Sequence, residues 1–284
     1  MKFDQATIPL VPRTLSNCLD LAMLILRRGM RVYLWLWLLV AVPTCALVYW
    51  LAYRYECNVF FAGVIAFVAS GPLGLLTAAA TAPPAFGDPL SVARAFRRLG
   101  PGTIFVLLRS LAVRILSVVG LVVCIAPGIY LILRDSFFAE QRLLSKLSSQ
   151  LHDRRTDKLL RGEWNDLLGR AMPLVIHGVL LWGVLLFTLD FASSWLLGQP
   201  ILFGRLGVDN KYVADFGETF IAILKFLWSD PVVETAAVAV ALFVYIDIRI
   251  AWFLCYIDVR VRRDCWDIEL QMSQETERLA ASSS

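Results

Sequence analysis

Long apolar runs alternate with shorter polar segments along the chain, and this pattern predicts a helical membrane protein. A helix that crosses the hydrocarbon core needs about 20 apolar residues, because the core is about 30 Å thick and each residue rises about 1.5 Å. We therefore expect an all-α bundle, a single integral membrane domain over residues 1–270 and a disordered tail at 271–284. The predicted spans are 32–53, 60–81, 103–125, 128–144, 172–197 and 232–257.

The fourth predicted span, 128–144, is short and interrupted by charge. A Pro-Gly pair at 127–128 precedes it and indicates a tight turn or a kink. The placement of basic residues favours a full crossing. With the N-terminus inside and six crossings, the inner segments hold 19 of the 27 Lys and Arg residues and the outer segments hold 4. This asymmetry follows the positive-inside rule, so we expect six spans with both termini in the cytoplasm.

The composition supports this membrane assignment. Hydrophobic residues make up 58% of the chain, charged residues 18%, and the mean hydropathy is +0.67, whereas a soluble domain has about 45–50% apolar and about 25% charged residues. The net charge of +4 is small, and no basic cluster alternates with aromatics, so we expect no nucleic-acid partner. The first long apolar run begins only near residue 32, which indicates an uncleaved span rather than a signal peptide.

Three segments with apolar residues at helical spacing precede the odd-numbered spans. Such amphipathic helices lie in the membrane interface or dock a partner, and the sequence leaves both interpretations open. The pattern of one interfacial helix followed by two spans thus occurs three times along the chain. It suggests three parallel hairpin units rather than an inverted repeat. The segments are 13–28, 88–99 and 160–171.

Charged residues inside the predicted spans are the main candidates for function. A charge near the bilayer centre costs several kcal/mol if isolated, so we expect the arginines to meet Asp135 and Asp247, with Glu140 nearby. Three interpretations remain open: a structural ion-pair network, a polar path for a substrate or proton, and side chains that reach the interface. The candidate network is Arg114, Arg134, Asp135, Glu140, Asp247 and Arg249.

Small residues interrupt the second predicted span at 70–74, where the sequence is Ser-Gly-Pro-Leu-Gly. Small residues let helices approach closely, and proline frees backbone groups. The segment is therefore either a packing notch or a broken helix that lines a site.

Patterns that would indicate catalysis or metal binding are missing from the sequence. The six cysteines have no CxxC spacing, which argues against a disulfide framework or a zinc site. We expect His152 and His177 to be surface or packing residues. No nucleophile or phosphate-binding motif occurs, so we expect no enzyme, no cofactor and no metal.

Two stretches resemble a known family. The first is Pro-Gly-Ile-Tyr-Leu at 127–131, followed by Arg134, Phe137, Phe138 and Glu140; the second is Tyr-Ile-Asp-Val-Arg-Val-Arg at 256–262, followed by Asp-Ile-Glu at 267–269. They resemble uncharacterised bacterial integral membrane proteins related to the membrane domain of glycerophosphoryl diester phosphodiesterases. The resemblance implies a six-helix inner-membrane body with interfacial helices. It implies no catalytic residue here, because that activity belongs to a separate soluble barrel domain. Asp-Cys-Trp at 264–266 departs from the family's acidic and glycine positions.

The second stretch also predicts a membrane-interface anchor. Asp258 lies at the inner end of the sixth predicted span and can pair with a neighbouring arginine, while Arg260 and Arg262 face anionic headgroups. Such attraction contributes about 1 kcal/mol per charge.

Three functional hypotheses follow. The first is a non-enzymatic scaffold or subunit of a membrane assembly, with a protein partner or a second copy of the chain. The second is a transporter or channel that uses the buried charges and has a water-filled cavity between spans three, four and six. A lipid-handling enzyme or its regulator ranks last, because the chain offers no nucleophile or metal site.

Overall fold

The computed structural model describes residues 14–55, 58–85, 93, 103–137, 140, 149–198 and 230–264. These residues form helices without any strand, so the predicted all-α class is confirmed. The helices are α1 (Leu15–Arg28), α2 (Met30–Tyr55), α3 (Val59–Ala85), α4 (Thr103–Val123), α5 (Ile125–Ser136), α6 (Ser149–Leu197) and α7 (Pro231–Asp264).

Five of these helices are long and apolar enough to cross a membrane. They correspond to predicted spans one, two, three, five and six, which confirms a multi-pass membrane protein. The spanning segments are Met30–Tyr55, Val59–Ala82, Phe105–Val123, Asn165–Leu196 and Pro231–Arg262.

The fourth predicted span is represented by α5, which has 12 residues. At about 1.5 Å per residue, this helix is about 18 Å long and does not reach across the core by itself. Residues 138–139 and 141–148 lie outside the described part of the chain. A full crossing at 128–144 therefore stays a prediction.

The link between α4 and α5 is a turn at a single extended residue, Cys124. Gly120 and Gly128 let the two helices approach closely: a Cβ on Gly128 would lie 2.6 Å from the backbone nitrogen of Leu121. The prediction of a turn at the Pro-Gly pair was wrong by a few residues. Pro127 lies in the first turn of α5, where a helix leaves its N–H groups without helical acceptors, so proline fits there.

Helix α7 is the centre of the bundle and packs against α1, α2, α3 and α6. In α7, 67% of the most apolar segment is buried, against 11% in α6. Asp230 caps α7: its Oδ1 accepts hydrogen bonds from the backbone N–H groups of Val232 at 2.8 Å and Val233 at 3.2 Å. The capped end fixes where the central helix begins.

Helix α3 runs without a break through the small-residue segment at 70–74. A Cβ on Gly71 would lie 2.9 Å from Ser110 Oγ of α4, and a Cβ on Gly74 would lie 2.6 Å from Tyr245 Oη of α7. The segment is therefore a packing notch, and the broken-helix interpretation is wrong. This notch brings α3 close to both helices that carry the central charges.

The predicted third interfacial helix is not separate from the fifth span. Both belong to α6, a continuous helix of 49 residues that includes Pro173. The separation predicted at about residue 171 was wrong, because the segment contains no helix stop strong enough to interrupt the backbone hydrogen bonds. At about 74 Å, α6 exceeds the membrane thickness, so part of it extends beyond the bilayer.

The first predicted interfacial segment forms α1, which Gly29 separates from α2. Its buried residues, Cys18, Ala22 and Leu26, recur every fourth position, and the helix packs against α7. The second predicted interfacial helix, the predicted tail and the segment 199–229 lie outside the described residues, apart from Ala93.

Candidate functional site

Arg249 and Glu140 form a buried ion pair. Arg249 Nη2 lies 2.7 Å from Glu140 Oε1 and 2.8 Å from Oε2. The same guanidinium donates from Nε to the Gly74 carbonyl at 3.2 Å and from Nη1 to the Ser136 carbonyl at 2.8 Å. Arg249 is 6% exposed and Glu140 is completely buried. Because its donor groups are engaged on three sides, Arg249 ties α7 to α3 and to the end of α5.

Arg114 has a different environment. It is the middle residue of the spanning segment Phe105–Val123. Its Nη2 donates to Tyr245 Oη at 3.0 Å, and its Cζ lies 4.8 Å from the centroid of the Phe67 ring. Within the described ranges, no carboxylate lies at ion-pair distance from Arg114. Its charge is thus held by a phenol hydroxyl and an aromatic face, which leaves guanidinium N–H groups available.

Asp135 lies close to both arginines. It lines a small cavity of about 20 Å³ together with Arg114 and Arg249. The structure therefore brings Arg114, Asp135, Glu140 and Arg249 into one region between α3, α4, α5 and α7. The side chain of Arg134 lies outside the described part of the structure.

Asp247 belongs to a separate pair. Its Oδ2 lies 3.3 Å from His177 Nε2 of α6. Asp247 is 1% exposed, and among the described residues its Oδ1 has no hydrogen-bond partner. The prediction that Asp247 meets the arginines was wrong, because its side chain leaves α7 on the side of α6. The sequence predicts a surface or packing residue at His177 and does not predict its contact with Asp247. The position of a histidine inside an apolar span could have indicated such a contact.

A third charged group lies at the C-terminal end of α7. Asp258 accepts from Arg170 Nη1 of α6 at 2.6 Å and from Arg262 Nε at 3.1 Å, and Arg170 Nε also donates to Asp166 at 2.9 Å. The pairing of Asp258 with a nearby arginine is of the kind the sequence suggests, but the sequence did not indicate Arg170. Arg260 is 4% exposed, so little of it is open to headgroups.

A cavity of about 470 Å³ lies beside Arg114, between α3, α4, α5, α6 and α7. Ligand pockets commonly measure about 300–1,000 Å³. Most of its lining is apolar, including Phe67, Leu242 and Trp252, and its polar wall consists of Ser70, Arg114, Ser136, Tyr245 and Arg249. This position matches the place where the transporter hypothesis expects a cavity, although the lining is more apolar than a water path.

No three His, Cys, Asp or Glu side chains come together as a metal-binding group in the described ranges. The charged groups that do meet are pairs of opposite charge. The chemistry they can perform is the binding of an anion by a guanidinium, the hydrogen bonding of a polar group, and the fixing of helix positions.

A scan against protein-family models, a search of the curated proteins and a search of the solved structures each found no match to this chain. The resemblance to the phosphodiesterase-related membrane proteins therefore stays a prediction.

Proposed function

We propose that the protein is a non-enzymatic carrier or transporter of a small anionic molecule, with the cavity beside Arg114 as its substrate site. The observation that supports this function is the environment of Arg114: a guanidinium at mid-span, bordering a cavity of ligand size, without a carboxylate at ion-pair distance among the described residues. A buried cation that only fixes helix packing is expected to have its charge fully paired, as Arg249 does.

The distribution of basic residues supports both termini in the cytoplasm, and the resemblance to bacterial integral membrane proteins supports a location in a bacterial inner membrane. In this orientation, Asp258 and Arg262 lie at the cytoplasmic end of α7. Of the two arginines predicted to face headgroups, Arg260 and Arg262, Arg262 is the better placed to contact them, because 48% of its side chain is exposed.

The proposed function is tested by the reactivity of a thiol in the cavity. In a variant without the natural cysteines, Ser70→Cys places a thiol in the cavity wall, while Leu180→Cys places a matched thiol on the exposed face of α6. A carrier requires that small molecules reach the cavity. Two thiol reagents are used, one water-soluble and one lipid-soluble. We therefore expect Ser70→Cys to react at least several times faster than Leu180→Cys with at least one of them.

The opposite outcome is also clear. If Ser70→Cys reacts with neither reagent faster than Leu180→Cys, the cavity is closed and the carrier function is wrong.

A scaffold or assembly subunit is the second candidate, and the exposure of α6 favours it. Only 11% of the most apolar segment of α6 is buried within the chain, and a Cβ on Gly183 would meet no atom within 4 Å. Small residues on a lipid-facing helix allow a second helix to approach closely. Disulfide cross-linking of Gly183→Cys between copies in native membranes supports this role. If Gly183→Cys forms no cross-linked dimer there, a self-assembling scaffold is contradicted.

A further inference from the structure

The cavity beside Arg114 extends along the central helix. On α7 its lining extends from Ala241 to Trp252, a rise of about 16 Å at about 1.5 Å per residue. This length is about half the thickness of the hydrocarbon core. The shape therefore suits a chain-like molecule that lies along α7 better than a compact polar solute.

The sides of the cavity open toward the lipid-facing surface. Gly63 of α3 and Val175 of α6 line it, and both are exposed. A Cβ on Gly63 would meet no atom within 4 Å, so the opening is wide at this residue. Phe60 and Phe61 continue the exposed apolar surface on α3. In a bilayer this opening faces acyl chains rather than water.

We propose that the cavity binds an anionic amphiphile that enters from the bilayer between α3 and α6. Its carboxylate or phosphate accepts hydrogen bonds from Arg114, and its acyl chain lies in the cavity along α7 toward Trp252. This proposal rests on the proposed function and specifies its substrate class.

The chemistry of the two ends explains this choice. A guanidinium offers five N–H donors in a planar fork that matches a carboxylate or phosphate, and Arg114 uses one group for Tyr245 Oη. Arg249, the other arginine in the cavity wall, is already bound to Glu140. An anionic head therefore accepts hydrogen bonds from the N–H groups of Arg114 that Tyr245 leaves available, while the apolar lining covers the chain.

Trp252 supplies a direct probe, because it lines the cavity and is 7% exposed. The measurement is fluorescence quenching of the purified, delipidated full chain by a fatty acid with bromine atoms in its chain. The chain has 9 tryptophans, so Trp252→Phe isolates the contribution of this one. We expect saturable quenching that Trp252→Phe largely removes.

The anionic head is tested by changing both partners. Arg114→Gln is expected to weaken binding of the brominated acid about tenfold or more, the effect of losing a hydrogen bond to a charged group. Arg54→Gln, at the exposed end of α2, is the matched control and keeps the affinity unchanged. The brominated methyl ester of the same acid is expected to bind about tenfold more weakly than the acid, whereas equal binding of acid and ester overturns the proposal.

A brominated phosphatidylglycerol tests the phosphate head, and a preference for it over the acid identifies a membrane phospholipid as the source.

A second variant keeps the test valid if Arg114→Gln does not fold. Gly63→Phe adds a ring at the opening, where the structure has space, and leaves every charge in place. We expect it to slow or abolish quenching in a folded protein, and unchanged quenching contradicts entry at this point.

If Ser70→Cys reacts with the water-soluble reagent and no amphiphile quenches Trp252, the substrate class is wrong while the carrier function stands. If the thiol is unreactive and quenching is absent, both are wrong.

Discussion

Arg249 Nη2 lies 2.7 Å from Glu140 Oε1, and this contact joins the central helix to the chain that follows α5. Arg114, in the same region, contacts the Phe67 ring and borders the larger cavity, and among the described residues no carboxylate lies at ion-pair distance from it. The two arginines therefore divide the charged region into a part that holds the helices together and a part that is available to a ligand.

The first prediction concerns the stability of the Arg249–Glu140 pair. Glu140→Leu leaves a buried guanidinium without its counter-charge, and loss of one partner of a buried pair costs about 3–5 kcal/mol. We expect a large loss of folded protein, measured as the monodisperse fraction in detergent and as Tm. The double variant Glu140→Leu with Arg249→Leu is expected to recover part of the loss. Equal stability of Glu140→Leu and the natural chain contradicts the structural role.

The second prediction concerns the glycine contact between α4 and α5. Gly128→Ala places a Cβ 2.6 Å from the backbone nitrogen of Leu121, which cannot move without separating the two helices. We expect a clear drop in Tm. Gly169→Ala, where the added Cβ meets no atom within 4 Å, is the matched control and is expected not to lower Tm, because alanine favours a helix over glycine. If the two variants have the same Tm, the α4–α5 hairpin is less tightly packed than described.

The third prediction concerns Asp247 and His177. His177→Leu removes the hydrogen-bond partner of a carboxyl group that is 1% exposed, and an unsatisfied buried polar group costs about 1–3 kcal/mol. We expect a lower Tm for His177→Leu and partial recovery when Asp247→Leu is added. A double-mutant cycle in Tm without coupling between the two positions shows that the pair does not form.

The fourth prediction concerns orientation. Single cysteines replace Asn165 at the start of the span in α6 and Tyr55 at the end of α2, both exposed. With both termini in the cytoplasm, a membrane-impermeant thiol reagent added to intact cells is expected to label Tyr55→Cys alone. Labelling of Asn165→Cys without Tyr55→Cys contradicts the orientation that the basic residues indicate, and labelling of both shows that the segment 128–144 does not cross.

Much of the fold could be predicted from sequence, because lipid imposes a simple length rule. The five helices long enough to cross follow from apolar runs of about 20 residues, and the start of α7 follows from Asp230 and Pro231, whose capping chemistry is local. The continuity of α6 could not be predicted in this way. An amphipathic stretch followed by an apolar one does not show whether the backbone bends between them.

The sequence indicates which charged residues lie in the central region, but it does not indicate reliably which of them form pairs. A residue's own helix fixes the direction of its side chain, but the neighbour in that direction depends on how the helices pack. Asp247 and Arg249 are two positions apart on α7 and therefore face different helices, α6 and the region of α5. For the same reason, the sequence did not reveal Tyr245 and Phe67 around Arg114 or Arg170 beside Asp258.

The most direct test of the account is a cryo-electron microscopy structure of the protein in a lipid nanodisc that contains phosphatidylglycerol and free fatty acid. The account predicts an elongated density along α7 between Ala241 and Trp252, with one end at hydrogen-bond distance from the Arg114 guanidinium. An Arg114 side chain bonded to Asp135, with α6 packed against α3 so that no cavity remains, would contradict it.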